Sequence, residues 1–205
     1  MIAITTTTIL LATQLLQMTN NYASATTSPT IVQAGEATTP LAVYSPQTVE
    51  INAGESVTWT NPTKVAEPHT ITFFLDNSTN SGIVAPLAVS NTTKFITIPP
   101  GSNNEPLLLP SDNKTGMNTI IAVNARNFNP TAIDSEGVVS FMKLNSNYSM
   151  TGTEKYVNSG WILPKGLEQQ YPGSGNTFTV TFEKPGTYDY ICVIHPWMTG
   201  SVRVR

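Results

Sequence analysis

From Thr177 to Phe182 the chain alternates strictly, with Phe178, Val180 and Phe182 on one side and Thr177, Thr179 and Thr181 on the other. A side-chain period of two belongs to a β-strand with one buried face. Lys184-Pro185-Gly186 then has turn chemistry, and Tyr188, Tyr190 and Cys192 align on one face of a second strand. Gly200 turns the chain into a last strand, Ser201 to Val204, with Val202 and Val204 inward. The N-terminal half repeats the pattern. Val49 and Ile51 alternate, Ala53-Gly54-Glu55 turns, and Val57 and Trp59 continue. Asn61-Pro62 breaks the run, and Ile71, Phe73 and Leu75 resume it. No segment has a convincing helical period, so an all-β chain is expected, with Trp59, Phe73, Phe178 and Phe182 in its core.

A chain of 205 residues suffices for one well-buried domain with additions and is short for two. Hydrophobic residues make up 40%, which fits a globular core. Charged residues are only 11%, against roughly 25% in an average soluble protein; Thr, Ser and Asn take their place. With a net charge of −3 and no Lys/Arg cluster, a nucleic-acid partner is excluded.

Residues 1–25 read as an export signal: a mildly apolar stretch from Ile2 to Met18 runs into Ala23-Ser24-Ala25, a small-x-small cleavage site. The lack of Lys or Arg near Met1 leaves open an uncleaved anchor, and hence membrane association through the N-terminus. The stretch falls short of the about 20 predominantly apolar residues of a transmembrane helix, and no C-terminal anchor is expected after Arg205. Periplasmic, cell-surface or extracellular placement follows. Sequons at Asn77, Asn91, Asn113 and Asn147 fit it and mark candidate glycosylation sites. Residues 26–40, rich in Thr and Ser, are expected to be a flexible lead into a domain spanning 41–205.

Cys192 is the only cysteine, which rules out a disulfide scaffold. Alone it could be an inert buried thiol. However, His195 follows it by three residues and Met198 by three more, within Cys192-Val193-Ile194-His195-Pro196-Trp197-Met198. Thiolate, imidazole and thioether are ligands that copper selects, and the one other histidine, His69, completes two histidines, one thiolate and a weak axial methionine. That is the blue-copper set.

The same inventory removes rivals. A structural zinc site usually takes four Cys/His ligands, and only three exist. A three-histidine metal centre, or a binuclear copper centre bridged by two thiolates, is impossible. Nucleophilic catalysis by Cys192 with His195 lacks a third, orienting group. Met198 is the least constrained ligand, since Met142, Met150 or an inserted loop could take the axial place.

Two blocks carry a family resemblance. Pro46 to Leu75, with Val-Glu-Ile-Asn-Ala-Gly-Glu-Ser-Val-Thr-Trp-Thr-Asn and Pro68-His69, resembles the first half of a plastocyanin- or amicyanin-type cupredoxin. Phe178 to Val204, with Pro-Gly-Thr-Tyr-Asp-Tyr-Ile-Cys-Val-Ile-His-Pro-Trp-Met-Thr-Gly, resembles the second, and its Cys-x2-His-x2-Met spacing is that of amicyanin. The resemblance implies a Greek-key β-sandwich with one type 1 copper at one end, held by His69, Cys192, His195 and Met198. It also implies that the His195 ring edge lies at the surface, where redox partner proteins dock transiently. Pro196, Trp197 and Ile194 would form an apolar patch there, although Trp197 could equally be core. Thr70 stands where the family often has Asn.

The family pattern leaves a long insertion of loops and short strands, about 76–160, since 122 residues lie between His69 and Cys192. The function expected is electron carriage through copper, with no small-molecule substrate and no catalysis. The alternative is copper storage or delivery, although six scattered Met and two His do not make a metal-rich tract. Copper oxidases and nitrite reductases need further histidines.

Overall fold

The computed structural model describes residues 28–38, 40, 42–76, 79, 85–90, 106–110 and 117–205. The export signal and the sequons at Asn77, Asn91 and Asn113 lie outside the described residues; Asn147 is exposed.

Two sheets build a sandwich, and the all-β expectation holds. One has five strands, in the order β11 (Asn147–Met150), β13 (Thr177–Phe182), β4 (Ser56–Thr60), β1 (Thr30–Ala34) and β2 (Tyr44–Ser45). The other has seven: β10 (Val139–Phe141), β9 (Pro130–Ile133), β12 (Tyr156–Ser159), β5 (Thr72–Phe74), β14 (Gly186–Ile191), β15 (Thr199–Val204) and β3 (Thr48–Ile51). Parallel pairings of β1 with β4, β11 with β13 and β15 with β3 make both sheets mixed. A three-stranded sheet joins β6 (Ala85–Ser90), β8 (Met117–Asn124) and β7 (Pro106–Pro110). A single helical turn, α1, covers Ala125–Phe128.

The alternating residues of β13 and β4 meet across the ladder in register, Phe178 opposite Trp59 and Val180 opposite Val57. Their apolar side chains are fully buried, while the opposite face is laced by hydroxyl pairs, Thr58 with Thr179 and Ser56 with Thr181, each at 2.8 Å. Inside, Trp59 meets the rings of Tyr190 and Phe73 edge to face at 5.2 and 5.9 Å. Leu75 lies beyond the end of β5 and is partly exposed, so the inward pattern stops at Phe73.

Within residues 26–40, expected to be flexible, Thr30–Ala34 departs from that expectation. Thr30–Ala34 is β1, parallel to β4, with Val32 and Ala34 wholly buried. Thr30, Ile31 and Val32 are β-branched, and tertiary pairing outweighed the polar composition. Residues 130–159, within the insertion, supply β9, β10 and β12 to the larger sheet and β11 to the smaller. Tyr156, Val157 and Asn158 pair with Phe74, Phe73 and Thr72, and all three are buried.

Candidate metal centre

Cys192 follows the last residue of β14, and Met198 precedes the first of β15. Because Ile191 pairs with Thr199, the chain 192–198 is a loop at the mouth of a hairpin. The loop is closed from within: the Cys192 N–H donates to the Met198 carbonyl at 3.0 Å, and the Met198 N–H to the His195 carbonyl at 2.8 Å. His69 arrives from the other side, just before β5, in an antiparallel bridge with Ile162. The His69 N–H donates to the Ile162 carbonyl at 3.0 Å, and the Ile162 N–H returns to the His69 carbonyl at 2.8 Å.

These elements bring three donor atoms together. Cys192 Sγ lies 3.5 Å from His195 Nδ1 and 3.9 Å from His69 Nδ1, and the two Nδ1 atoms are 3.3 Å apart. Metal–nitrogen bonds of about 2.0 Å and metal–sulfur bonds of about 2.3 Å in one plane separate their donors by about 3.5 Å and about 3.7 Å. The triangle therefore fits one ion. All three residues are buried, and among the described residues they are the group of His, Cys, Asp and Glu side chains close enough to share a metal.

Burial pushes the Cys192 thiol up, but the hydrogen bonds from His195 and His69 and the charges of both rings outweigh it and bring it down to about 6. Burial alone would lower His195; contacts with the Cys192 sulfur and the Glu67 carboxylate instead raise it to about 9. The site thus favours the thiolate, the form that binds metal.

Thr70 ties the two ligand-bearing segments together. Its N–H donates to Cys192 Sγ at 3.4 Å, and its hydroxyl oxygen accepts the Val193 N–H at 2.9 Å while pairing with the Thr72 hydroxyl at 3.0 Å. Tyr44 donates to the Thr70 carbonyl from the core side. A threonine thus fixes the loop 192–198 against the segment that carries His69.

Met198 is wholly buried in the same core cluster as Cys192. Met150 lies opposite Phe182, whose carbonyl accepts the Gly54 N–H, at the far end of β13 from Thr177 and its partner Thr60. Next to Thr60, Asn61 donates to the Glu67 carbonyl in the loop that carries His69, so Met150 belongs to the pole away from the metal centre.

His195 does not show the surface ring edge expected of it. The residue is only 5% exposed, because Glu67 Oε1 sits 3.0 Å from Nε2 and the Trp197 ring lies 5.4 Å away. Trp197 itself is 63% exposed, which settles it as surface and not core. Sequence reasoning missed Ile162 and Glu67, and Glu67 supplies the orienting contact to His195 that was expected to be lacking. Glu67 had a signal in its adjacency to Pro68-His69; Ile162 acts through main-chain hydrogen bonds that no residue type announces.

Residues 139–205 match the model of the family "copper binding proteins, plastocyanin/azurin family". That match covers the C-terminal third of the chain. The cupredoxin-like chain is also 40% identical over 69 residues to amicyanin-alpha of Methylorubrum extorquens, across 31% of this chain and 58% of that protein. It thus spans little more than half the length of that curated relative. Among solved structures, amicyanin from Paracoccus versutus aligns with a TM-score of 0.39 at 15% identity, covering 89% of this chain and 87% of that one. A purple cupredoxin from Nitrosopumilus maritimus aligns at 0.35 and 21% identity, covering 86% and 99%. Scores this low carry no functional inference. The family match and the His-Cys-His triangle together assign the cofactor as one type 1 copper ion.

Proposed function

We propose that this cupredoxin-like protein is exported and carries single electrons between redox partners. The observation that carries the proposal is the triangle of His69 Nδ1, Cys192 Sγ and His195 Nδ1, which consumes the only cysteine and both histidines of the chain. Met198, buried on the same loop, is proposed as the weak axial ligand. Bound copper supplies a Cu(II)/Cu(I) couple, and the protein's part is to hold its ligands still. His69 is fixed by two main-chain hydrogen bonds, the loop by its own, and the two are joined through Thr70. With the only cysteine and both histidines given to the metal, the reading is a carrier and not an enzyme.

Partner proteins are proposed to dock over exposed Trp197 and Pro196, beside His195. Transient redox encounters are small, and a modest patch suffices. Export rests on the sequence of residues 1–25, and glycosylation on the four sequons.

The test is voltammetry of the copper-loaded chain together with chelator challenge. A reversible one-electron couple with copper retained against the chelator supports the carrier. Ready exchange without a reversible couple would instead indicate storage or delivery.

A further inference from the structure

The Glu67 side chain has no place in the ligand set, yet it is aimed at one. Its Oε1 lies 3.0 Å from Nε2 of His195, on the ring edge away from the Nδ1 that faces Cys192 and His69. The contact is built and not casual. The Glu67 N–H donates to the Val65 carbonyl at 2.7 Å, and its own carbonyl accepts the Asn61 side-chain amide at 2.9 Å. The same amide reaches the Ile162 carbonyl at 3.2 Å, and Asn61 Oδ1 accepts from the Thr63 N–H and hydroxyl. Pro68 follows, which confines the Glu67 backbone to extended conformations. The loop that delivers His69 therefore also delivers a carboxylate to the other histidine.

We infer that Glu67 is a positioning residue for the copper: it locks the His195 ring with its proton on Nε2 and, as an anion, biases the centre toward Cu(II). A carboxylate on the outer nitrogen of a ligand histidine fixes tautomer and orientation and raises the ring's donor strength. Extra donor strength and negative charge favour the more highly charged metal state, so Glu67 holds the potential down. Among the described residues His69 receives no such support, because its buried Nε2 has no hydrogen-bond partner there. The bias thus enters through one histidine alone. This inference rests on the copper reading above.

The test compares the full chain with Glu67→Gln, Glu67→Asp and, as a control for net charge, Glu136→Gln in the exposed turn between β9 and β10. Affinities for Cu(II) and Cu(I) are measured by chelator competition, and the midpoint potential by voltammetry. Loss of a partner of this kind costs about 10–100-fold in metal affinity. Glu67→Gln is expected to weaken Cu(II) about tenfold more than Cu(I), a rise in potential of about 59 mV for one electron. Glu67→Asp should fall between, and Glu136→Gln should stay at the parent value. In the parent Cu(I) form, the His195 Nε2–H should also give a slowly exchanging NMR signal.

A Glu67→Gln potential equal to the parent's, or matched by Glu136→Gln, overturns the inference and leaves the copper reading intact. Should the Gln variant not fold, an Nε2–H exchanging as fast as a free imidazole's overturns it in the parent. A parent that binds no copper overturns both.

Discussion

His69 and His195 face the same thiolate, but different parts of the chain hold them there. The main chain of His69 is bracketed by Ile162 through two hydrogen bonds, while its ring Nε2 has no partner among the described residues. For His195 the order is reversed: its main chain receives one bond from within its own loop, and its ring is held by Glu67. One histidine is placed by sheet geometry, the other by a side chain. Damage to the fold should therefore reach the metal through His69, and changes of surface chemistry should reach it through His195.

The largest effect that could break this contrast is expected at Ile162, wholly buried behind the His69 bridge. Ile162→Ala should cost about 2–5 kcal/mol by truncation of a buried side chain and weaken copper binding, as followed by denaturant melts and chelator competition. A stability loss with unchanged copper affinity would separate His69 from the sheet that carries it.

Gly35 gives a sharper version. Its φ is +81°, and an added Cβ would lie 2.3 Å from the Pro40 carbonyl oxygen and 2.9 Å from His69 Nε2. Gly54 has a similar φ of +86° with nothing within 4 Å. Both alanine variants incur backbone strain of about 1–3 kcal/mol, but only Gly35→Ala should also lower copper affinity. Equal behaviour of the two in melts and copper titrations would show that the His69 ring tolerates displacement.

Thr70 joins the two sides, so its removal is expected to be intermediate. Thr70→Ala leaves the buried Val193 N–H without its acceptor, at about 1–3 kcal/mol, and should perturb the copper absorption spectrum. Thr70→Ser keeps the hydroxyl and should stay close to the parent in both readouts. The smallest stability effect belongs to Trp197→Ala, within about 0.5 kcal/mol because the ring is mostly exposed. Its consequence should appear as slower electron exchange with partner proteins, measured by stopped flow.

How much of this was legible in the sequence follows the same division. The alternation of Phe178, Val180 and Phe182 reported a strand because burial on one face leaves a period of two. The spacing of Cys192, His195 and Met198 reported a loop because side chains of one loop are neighbours in sequence. What could not be read depends on contacts between distant segments. Ile162 holds His69 through main-chain groups that every residue possesses, and Thr70 reaches Val193 across 123 positions. Residues 26–40 looked flexible from their Thr and Ser, yet the β4 edge was there to pair with Thr30–Ala34. The burial of His195 was hidden for a similar reason: Glu67 lies beside His69 in sequence and beside His195 in space.

The central claim is that one copper is bound through the Cys192 thiolate with both histidines. Its most direct measurement is the visible absorption spectrum of the full chain titrated with Cu(II), beside that of Cys192→Ser. The account predicts an intense thiolate-to-copper band that saturates at one equivalent and is absent from the variant. A spectrum without that band, or copper binding undiminished by Cys192→Ser, would contradict it.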